Sequence, residues 1–331
     1  MPTLLNYDPE KSLAWNKKTM EKKDDIIAIV DKICAEGFSN IFFVGVGGTL
    51  TQAWSYEATL KPIASFPFYV EHAADFNTEG NKKFNKDSVL IVTSATGNTK
   101  EVVETVETAK KIGARVISVV GAPNTPLAEL ADYSIQGYGD LIFYIMLLRF
   151  AYNKGDYPEY DEMLKNLANL VDVLPYAEKQ ADEYCEAYAR AHRDDKIQYL
   201  IGSGNLWGPT YSYAMCIMEE MQWMRTKSVT AGDFFHGTLE VIERDDTVLL
   251  FFGEDETRPQ MERVEKFLKT ICNNIYKFDT ASLRLPNVDP KFRGLFSPLV
   301  MHCFTSRIET YQEDAGKHPL AIRRYYRQLS Y

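Results

Sequence analysis

"NIFFVGVGG" (residues 40–48) and "KIQYLIGSG" (residues 196–204) are the two stretches that decide the fold. In each, a short apolar run ends in a glycine-rich turn, which is the pattern of a buried parallel strand followed by a helix. Gly45 in the first stretch matches Gly202 in the second, at an offset of 157 residues (202 − 45). The match suggests that one structural unit occurs twice.

Two further matches follow in the same order along the chain. "HAADFN" matches "TAGDFF" at an offset of 158 residues, from Asp75 to Asp233. "SVLIVTS" matches "TVLLFFG" at an offset of 159 residues, from Val89 to Val248. Three collinear matches at a nearly constant offset indicate an ancient duplication.

Strands alternate with amphipathic helices in both copies, which predicts parallel sheets. We therefore predict an α/β fold with two tandem domains. Each should be a three-layer α/β/α sandwich with a parallel five-stranded sheet of the flavodoxin type. In the first copy, "FPFYVEHAADF" predicts a strand that ends near Asp75. The predicted divisions are an N-terminal helical segment (1–36), a first domain (37–150), a helical connector (151–193) and a second domain with a C-terminal tail (194–331).

Composition excludes several classes of function. The net charge of −9 over 331 residues argues against general nucleic-acid binding and against adhesion to an anionic membrane. The longest apolar run, at 141–148, is too short to span a bilayer, and the N-terminus lacks the pattern of a secretory signal. The five cysteines form no C-x-x-C pair, and the five histidines have no metal-ligand spacing. We expect a cytoplasmic protein without a metal ion or organic cofactor.

The turn "TSATGNT" (93–99) has the composition of an anion site. It joins a predicted strand to a helix, where unpaired backbone N–H groups and the helix dipole favour a negative ligand. It contains neither a Walker A motif nor a dinucleotide fingerprint, so a single phosphate monoester fits best. The alternative is that these hydroxyls only cap the helix. The predicted phosphate-binding residues are Gly47, Gly48, Thr49, Ser94, Thr96, Gly97, Asn98 and Thr99.

The second copy has "GEDETRP" (253–259) at the equivalent turn. Its three carboxylates, Glu254, Asp255 and Glu256, would repel a phosphate. We therefore expect that only the first copy holds the anion and that the second has another role.

The candidates for proton transfer lie in the second copy. A helix is predicted over Tyr211–Arg225, and at helical spacing Tyr213, Ile217 and Glu220 share one face. A carboxylate on a largely apolar helix suits a general base, although a solvated Glu219 or Glu220 is the alternative.

The second candidate, His236, lies between Phe235 and Gly237, just past a predicted strand end. Histidine is suited to proton transfer near neutral pH, but a structural role is equally open for His236. The nearby Glu240 is ambiguous in the same way.

These motifs together resemble a known family. The pattern strand–G-x-G–helix followed by S-x-[ST]-G-x-[ST] resembles the sugar isomerase (SIS) domain, and its repetition resembles tandem SIS proteins. "AGDFFHGTLEVIE" (231–243) and the tail "KHPLAIRRYYRQLSY" (317–331) are most similar to segments of the fructosamine-6-phosphate, or fructoselysine-6-phosphate, deglycases. Thr238 stands where those enzymes usually have proline.

The resemblance implies a reaction and a set of roles. The turn residues would bind the phosphate of a sugar phosphate. Glu220 and His236, which are 16 residues apart (236 − 220), would be the catalytic acid/base pair. The product would be an aldose 6-phosphate and a free amino acid. The family presents this histidine to the neighbouring subunit's site, which implies a homodimer with shared active sites, or a larger oligomer.

Two alternatives stay open. One is an aminosugar-phosphate isomerase or deaminase of the SIS family, and the other is a non-catalytic sugar-phosphate regulator. Glucosamine-6-phosphate synthase activity is disfavoured, because its lysine and second glutamate are replaced here by Ile217 and Tyr213. Further candidates for substrate contact are Glu240, His318 and Arg323. The tail arginines Arg323, Arg324 and Arg327 could meet a carboxylate of the substrate or could be surface charges.

Overall fold

The computed structural model describes residues 4–137, 139–326 and 328–330, so Arg327 lies outside the described residues. The chain divides into two compact units. We call Ala14–Ala168 the N-terminal unit, and the chain up to Leu13 together with the chain from Asn169 onward the C-terminal unit. Each unit contains one parallel sheet, which confirms the α/β prediction. The domain boundaries at 36, 150 and 193 remain our proposal.

The N-terminal unit has a five-stranded parallel sheet with the strand order β2-β1-β3-β4-β5. Its strands are β1 (Asn40–Gly45), β2 (Phe68–His72), β3 (Ser88–Ser94), β4 (Arg115–Val120) and β5 (Tyr133–Gln136). The helices from the start of the chain are α1 (Pro9–Met20), α2 (Lys23–Glu36), α3 (Gly47–Leu60), α4 (Ala73–Glu79), α5 (Lys100–Ile112), α6 (Pro126–Leu130), α7 (Asp140–Asn153) and α8 (Tyr160–His192).

The sheet of the C-terminal unit has four parallel strands in the described part of the chain, in the order β7-β6-β8-β9. The prediction of five strands is wrong here, because after β9 the chain continues into a 3-10 turn and a long helix. The strands are β6 (Gln198–Gly202), β7 (Thr226–Thr230), β8 (Thr247–Phe252) and β9 (Asn274–Asp279). The helices are α9 (Trp207–Ser212), α10 (Ala231–Phe234), α11 (Arg258–Leu268) and α12 (Pro290–Gly316), with a π-helix at Tyr213–Glu219 and 3-10 turns at Gly204–Leu206, Thr238–Val241 and Thr280–Ser282.

Strand order brings two turns together in each unit. β1 pairs with β2 on one side and with β3 on the other, and β6 pairs in the same way with β7 and β8. The turns after β1 and β3 therefore leave the same edge of the sheet in opposite directions. This switch point is where ligands bind in open α/β sheets.

The sheet of the N-terminal unit is covered by apolar side chains on both faces. On one face, Phe42 and Leu90 pack with Val106 of α5 in a buried cluster. On the other, the ring of Phe43 lies 5.9 Å from that of Tyr56 in α3 and 5.3 Å from that of Phe143 in α7, between centroids. Burial of both faces explains the near-continuous apolar runs of these strands.

The apolar run at 141–148 lies in α7, and its side chains are buried within the N-terminal unit. Among the described residues, no helix combines the length and the apolar character needed to cross a bilayer.

Two local predictions need correction. The second strand ends at His72 rather than near Asp75, because His72 Nδ1 accepts a hydrogen bond from Ala74 N (3.2 Å) and caps α4. The helix predicted over Tyr211–Arg225 is instead α9 followed by the π-helix, in which Glu220 N donates to Met215 O (3.0 Å). The wider turn changes which residues share a face, so the shared face argued from α-helical spacing does not apply.

A buried ion pair ties elements of the C-terminal unit together. Arg307 of α12 is fully buried, and its Nε donates to Asp182 Oδ1 of α8 (2.6 Å). Its Nη2 donates to Leu5 O (2.8 Å), and Tyr311 OH donates to Asp182 Oδ2 (2.9 Å). Removing one member of such a pair leaves an uncompensated buried charge.

We expect Asp182→Ala to lower the free energy of unfolding by about 3–5 kcal/mol, because it removes the carboxylate that pairs with the buried guanidinium of Arg307. Urea-induced unfolding followed by circular dichroism measures the effect. The matched control is Glu186→Ala on the same helix, which removes an exposed i,i+4 pair with Arg190 and should cost about 0.5 kcal/mol or less. Equal stabilities of the two variants would contradict this assignment.

Candidate functional site

One candidate site is the switch point of the N-terminal unit. α3 begins at Gly47, directly after β1, and α5 begins at Lys100 after the turn that follows β3. Gly47 has φ +52° and Gly97 has φ +65°, a backbone conformation that favours glycine. Two helix N-termini thus begin at the same edge of the sheet, where unpaired N–H groups favour an anion.

The hydroxyls of the turn after β3 converge on one another. Ser94 Oγ lies 2.9 Å from Thr99 Oγ1 and 3.4 Å from Thr96 Oγ1. Gly97 N donates to Ser94 Oγ (3.0 Å), and Thr96 Oγ1 donates to Asn98 Oδ1 (2.7 Å). The structure therefore brings together all five of the turn residues predicted to bind phosphate. The hydroxyl groups of the turn are uncharged and already bond within the turn. A bound ligand would therefore take the place of these hydrogen bonds.

Gly97 is fixed by packing as well as by its backbone angle. A Cβ at this position would lie 2.2 Å from Thr125 Oγ1, in the turn that precedes α6. The turn after β4 supports the same loop, because a Cβ on Gly121 would lie 2.4 Å from Ala95 O. The loop is therefore held rigidly in its present shape.

Thr49 has a local role in this structure. Its Oγ1 donates to Val46 O (2.8 Å) and accepts from Val46 N (3.2 Å), so it shapes the start of α3. This arrangement agrees with the capping interpretation for Thr49, whereas Gly47 and Gly48 supply the backbone at the helix start.

The corresponding switch point of the C-terminal unit is filled by a carboxylate. Asp255 Oδ2 accepts from Asn205 N (2.9 Å), and Asp255 Oδ1 accepts from Thr257 N (3.0 Å) and from Thr257 Oγ1 (2.6 Å). Glu254 is held by Arg293, whose Nε donates to Glu254 Oε2 (2.7 Å). The carboxylates of this turn were expected to repel a phosphate. In the structure, the carboxylate of Asp255 itself occupies the position of the anion.

The two copies allow a comparison within one chain. Gly47 and Gly204 occupy equivalent positions and have nearly equal φ angles of +52° and +53°. A Cβ on Gly204 would lie 2.2 Å from Asp255 Oδ2, whereas a Cβ on Gly47 would meet no atom within 4 Å. The space that the carboxylate fills in one copy is open in the other.

A separate feature is a cavity of about 490 Å³ within the C-terminal unit. Its lining residues are Glu219, Glu220, Trp223, Met224, Arg225, Thr226, Arg323, Arg324, Tyr325 and Tyr326. Arg323 Nε donates to Glu220 Oε1 (2.8 Å), and Glu219 Oε1 accepts from Thr226 Oγ1. Sequence reasoning missed this contact between Glu220 and the tail, because the two residues are 103 positions apart.

Trp223 holds the tail against this cavity. Its φ is +57°, which is unusual for a bulky side chain. Its ring lies 4.1 Å from the His318 ring, between centroids, and the guanidinium carbon of Arg324 lies 4.1 Å from the indole centroid. Gln222 Nε2 also donates to His318 O (3.2 Å). His318, predicted to contact substrate, therefore packs against Trp223 and is not among the residues that line the cavity.

His236 lies outside this cavity. It is exposed between α10 and the turn at Thr238–Val241, and its imidazole makes no hydrogen bond with the described residues. Glu240 is also exposed. Tyr213, placed beside Glu220 by the sequence argument, is instead buried with its hydroxyl donating to Gln312 Oε1 (3.1 Å), and burial raises its pKa.

Comparison with known proteins places this geometry in context. The family model for the SIS domain matches residues 38–137. A fructosamine deglycase from Bacillus subtilis is 28% identical, over 96% of this chain and 100% of its own length. A fructoselysine 6-phosphate deglycase from Escherichia coli O157:H7 is 22% identical, over 77% of each chain.

Solved structures agree with the sequence relatives. A Bacillus subtilis protein and a Salmonella typhimurium protein, both provisionally described as phosphosugar isomerases, have a TM-score of 0.87 and 27% identity. They cover 95% and 93% of this chain, which spans 100% and 99% of theirs. The C-terminal domain of glucosamine-fructose-6-phosphate aminotransferase from Francisella tularensis has a TM-score of 0.72 and 14% identity, over 92% of this chain and 95% of its own, and shares the fold.

The resemblance inferred from the motifs is therefore confirmed. Residues 38–137 match the SIS domain, and the chain as a whole is similar to a fructosamine deglycase and, over 77% of its length, to a fructoselysine 6-phosphate deglycase.

Proposed function

We propose that the protein is a deglycase that cleaves a 6-phosphorylated glycated amino acid to an aldose 6-phosphate and a free amino acid. The observation that carries this proposal is the open, hydroxyl-lined switch point of β1 and β3, whose counterpart in the other copy is filled by Asp255. The similarity to deglycases over nearly the whole chain supports this reaction in preference to other sugar-phosphate chemistry.

The phosphate of the substrate would bind at that switch point. Ser94, Thr96 and Thr99 would donate their hydroxyl protons to it, together with N–H groups at the starts of α3 and α5. Asp255 supports this placement, because a carboxylate accepts two backbone N–H bonds at the equivalent place. Binding of the phosphate would thus fix the position of one end of the sugar.

Glu220 and His236 would move the protons. Glu220 removes a proton from the sugar carbon that bears the amine, which gives an enaminol. Return of a proton to the adjacent carbon gives an imine, and water hydrolyses the imine to the aldose 6-phosphate and the free amino acid. His236 assists ring opening or acts as the acid–base partner. These steps need proton transfer and one water molecule, so we propose no metal or organic cofactor.

The exposure of His236 supports a homodimer with shared sites. An imidazole that is exposed and makes no hydrogen bond with the described part of the chain is available to a second copy. We propose this arrangement for a cytoplasmic enzyme, without assigning which chain supplies each catalytic group.

A second candidate is an aminosugar-phosphate isomerase or deaminase, favoured by the similarity in fold to phosphosugar isomerases. It shares the proton shift but releases ammonia or nothing. Residues 211–225, the helix region in which the amidotransferase-linked isomerases carry a lysine, contain none here, which disfavours the synthase reaction. A non-catalytic sugar-phosphate regulator is the remaining alternative, and it would bind glycated phosphates without turnover.

We expect Glu220→Gln and His236→Asn each to lower kcat on fructoselysine 6-phosphate by about 100-fold or more, because each removes a proton-transfer group. Release of glucose 6-phosphate, followed with a coupled dehydrogenase, measures the rate. Glu262→Gln, a substitution of an exposed glutamate of α11, is the matched control. Turnover at the wild-type rate in both variants would refute the assignment.

Mixing the two inactive variants tests the shared site. After subunit exchange, heterodimers contain one site with both intact residues if the residues come from different chains, so activity should return to about a quarter of the wild-type value for random exchange. No recovery after exchange, verified by native mass spectrometry, would contradict the shared-site arrangement.

We expect Thr96→Val to lower kcat/KM on the phosphorylated substrate by about 10-fold or more, because a hydrogen bond to a charged group is lost at nearly constant shape. The unphosphorylated substrate should be affected less than twofold. Thr78→Val, which removes an exposed hydroxyl of α4, is the control. An equal loss with both substrates would show that Thr96 does not contact the phosphate.

A further inference from the structure

The cavity beside Glu220 carries an unusual charge balance for this protein. Three arginines, Arg225, Arg323 and Arg324, face two glutamates there, so its lining is net positive. The chain as a whole has a net charge of −9. A cationic cavity on an acidic protein selects and concentrates an anionic ligand.

The arginines of this cavity are not equivalent. Arg323 is engaged, because its Nε donates to Glu220 Oε1 and its Nη1 donates to Ile322 O (3.0 Å) in the tail. Arg324 forms neither an ion pair nor a hydrogen bond with any described residue. Its guanidinium keeps all five N–H donors for a ligand.

Arg324 is held in place although no carboxylate of the described residues pairs with it. It stacks on the indole of Trp223, with 4.1 Å between the guanidinium carbon and the ring centroid. Trp223 is itself fixed by the His318 ring on the tail and adopts a left-handed backbone conformation. Such strain persists only where surrounding structure enforces it, and it often marks a functional position. A stacked, planar guanidinium with free donors is pre-organised for bidentate binding of a carboxylate.

We infer that Arg324 binds the α-carboxylate of the amino-acid part of the substrate. The inference rests on the proposed function and deepens it, since it names the chemistry by which a glycated amino acid is recognised. The amine of such a substrate joins the sugar carbon from which Glu220 takes its proton. Its carboxylate is the next charged group along the chain, and Arg324 lines the same cavity as Glu220.

The cavity fits such a group in size and in charge. About 490 Å³ is within the usual range for small-molecule sites, and the aromatic side chains of Trp223, Tyr325 and Tyr326 supply its apolar walls. A phosphate group would be recognised by the same guanidinium. Since we propose that the phosphate binds at the switch point of β1 and β3, the carboxylate is the anionic group of the substrate that remains for Arg324.

The test is binding of two matched ligands to His236→Asn, in which turnover is suppressed. Fructosylglycine 6-phosphate carries the carboxylate, and fructosylethanolamine 6-phosphate replaces it with a neutral hydroxymethyl group. By calorimetry, the glycine conjugate should bind about 10-fold more tightly. Adding Arg324→Gln should abolish that preference while changing the affinity for the ethanolamine conjugate less than twofold. Arg324→Lys should restore part of the preference.

The control is Arg284→Gln, which removes an exposed guanidinium of the same unit outside the cavity and should leave the preference intact. Equal binding of the two conjugates, no measurable binding of the glycine conjugate, or a preference that survives Arg324→Gln would overturn the inference. So would loss of inorganic phosphate binding in Arg324→Gln, because it would assign the guanidinium to the phosphate. These measurements need no turnover, so failure of the deglycase assay alone would refute the proposed function and leave carboxylate recognition standing.

Discussion

The neighbouring position of β1 and β3 in a parallel sheet is the constraint on which the account depends. It makes the chain leave the sheet in opposite directions at one edge, and it brings two helix N-termini to that edge. Left-handed glycines at Gly47 and Gly97 let the backbone turn there without a side chain in the way. The result is a pair of helix N-termini whose N–H groups and dipoles favour an anion. The two copies meet that preference differently, one with Asp255 and the other, in our proposal, with the substrate's phosphate.

This division explains how a duplicated fold can serve one reaction. Once Asp255 satisfies the switch point of the C-terminal unit internally, that unit is free to use its other elements for chemistry. Its first helix region departs from α-helical geometry, ends at Glu219 and leaves Glu220 at a cavity that residues of the tail help to line. π-Helical turns are rare and often occur at functional sites, which agrees with this placement. Arg323 fixes the direction of one Glu220 oxygen, so the proposed base is oriented before the substrate arrives.

The sequence predicted what depends on local pattern. The apolar strands and the glycine turns follow from periodicity and from the repeat, and the parallel sheets confirm the predicted strands. The number of strands in the second sheet was predicted by analogy with the first and was wrong. The contact between Arg323 and Glu220 joins residues 103 positions apart, and Trp223 adopts a backbone angle that its residue type disfavours. The inward turn of Asp255 does not follow from charge repulsion between carboxylates and a ligand. It depends on the backbone N–H groups of Asn205 and Thr257, with which the Asp255 carboxylate bonds.

The central claim is that a carbon-bound proton moves before the amine is released, and one measurement tests it most directly. Fructoselysine 6-phosphate with two deuterium atoms on the carbon that bears the amine is converted by the enzyme, and the sugar product is analysed by NMR. The account predicts glucose 6-phosphate with a single deuterium left on that carbon, because the base has removed the other. Fructose 6-phosphate that keeps both deuterium atoms would mean direct displacement of the amine by water, and it would contradict the account.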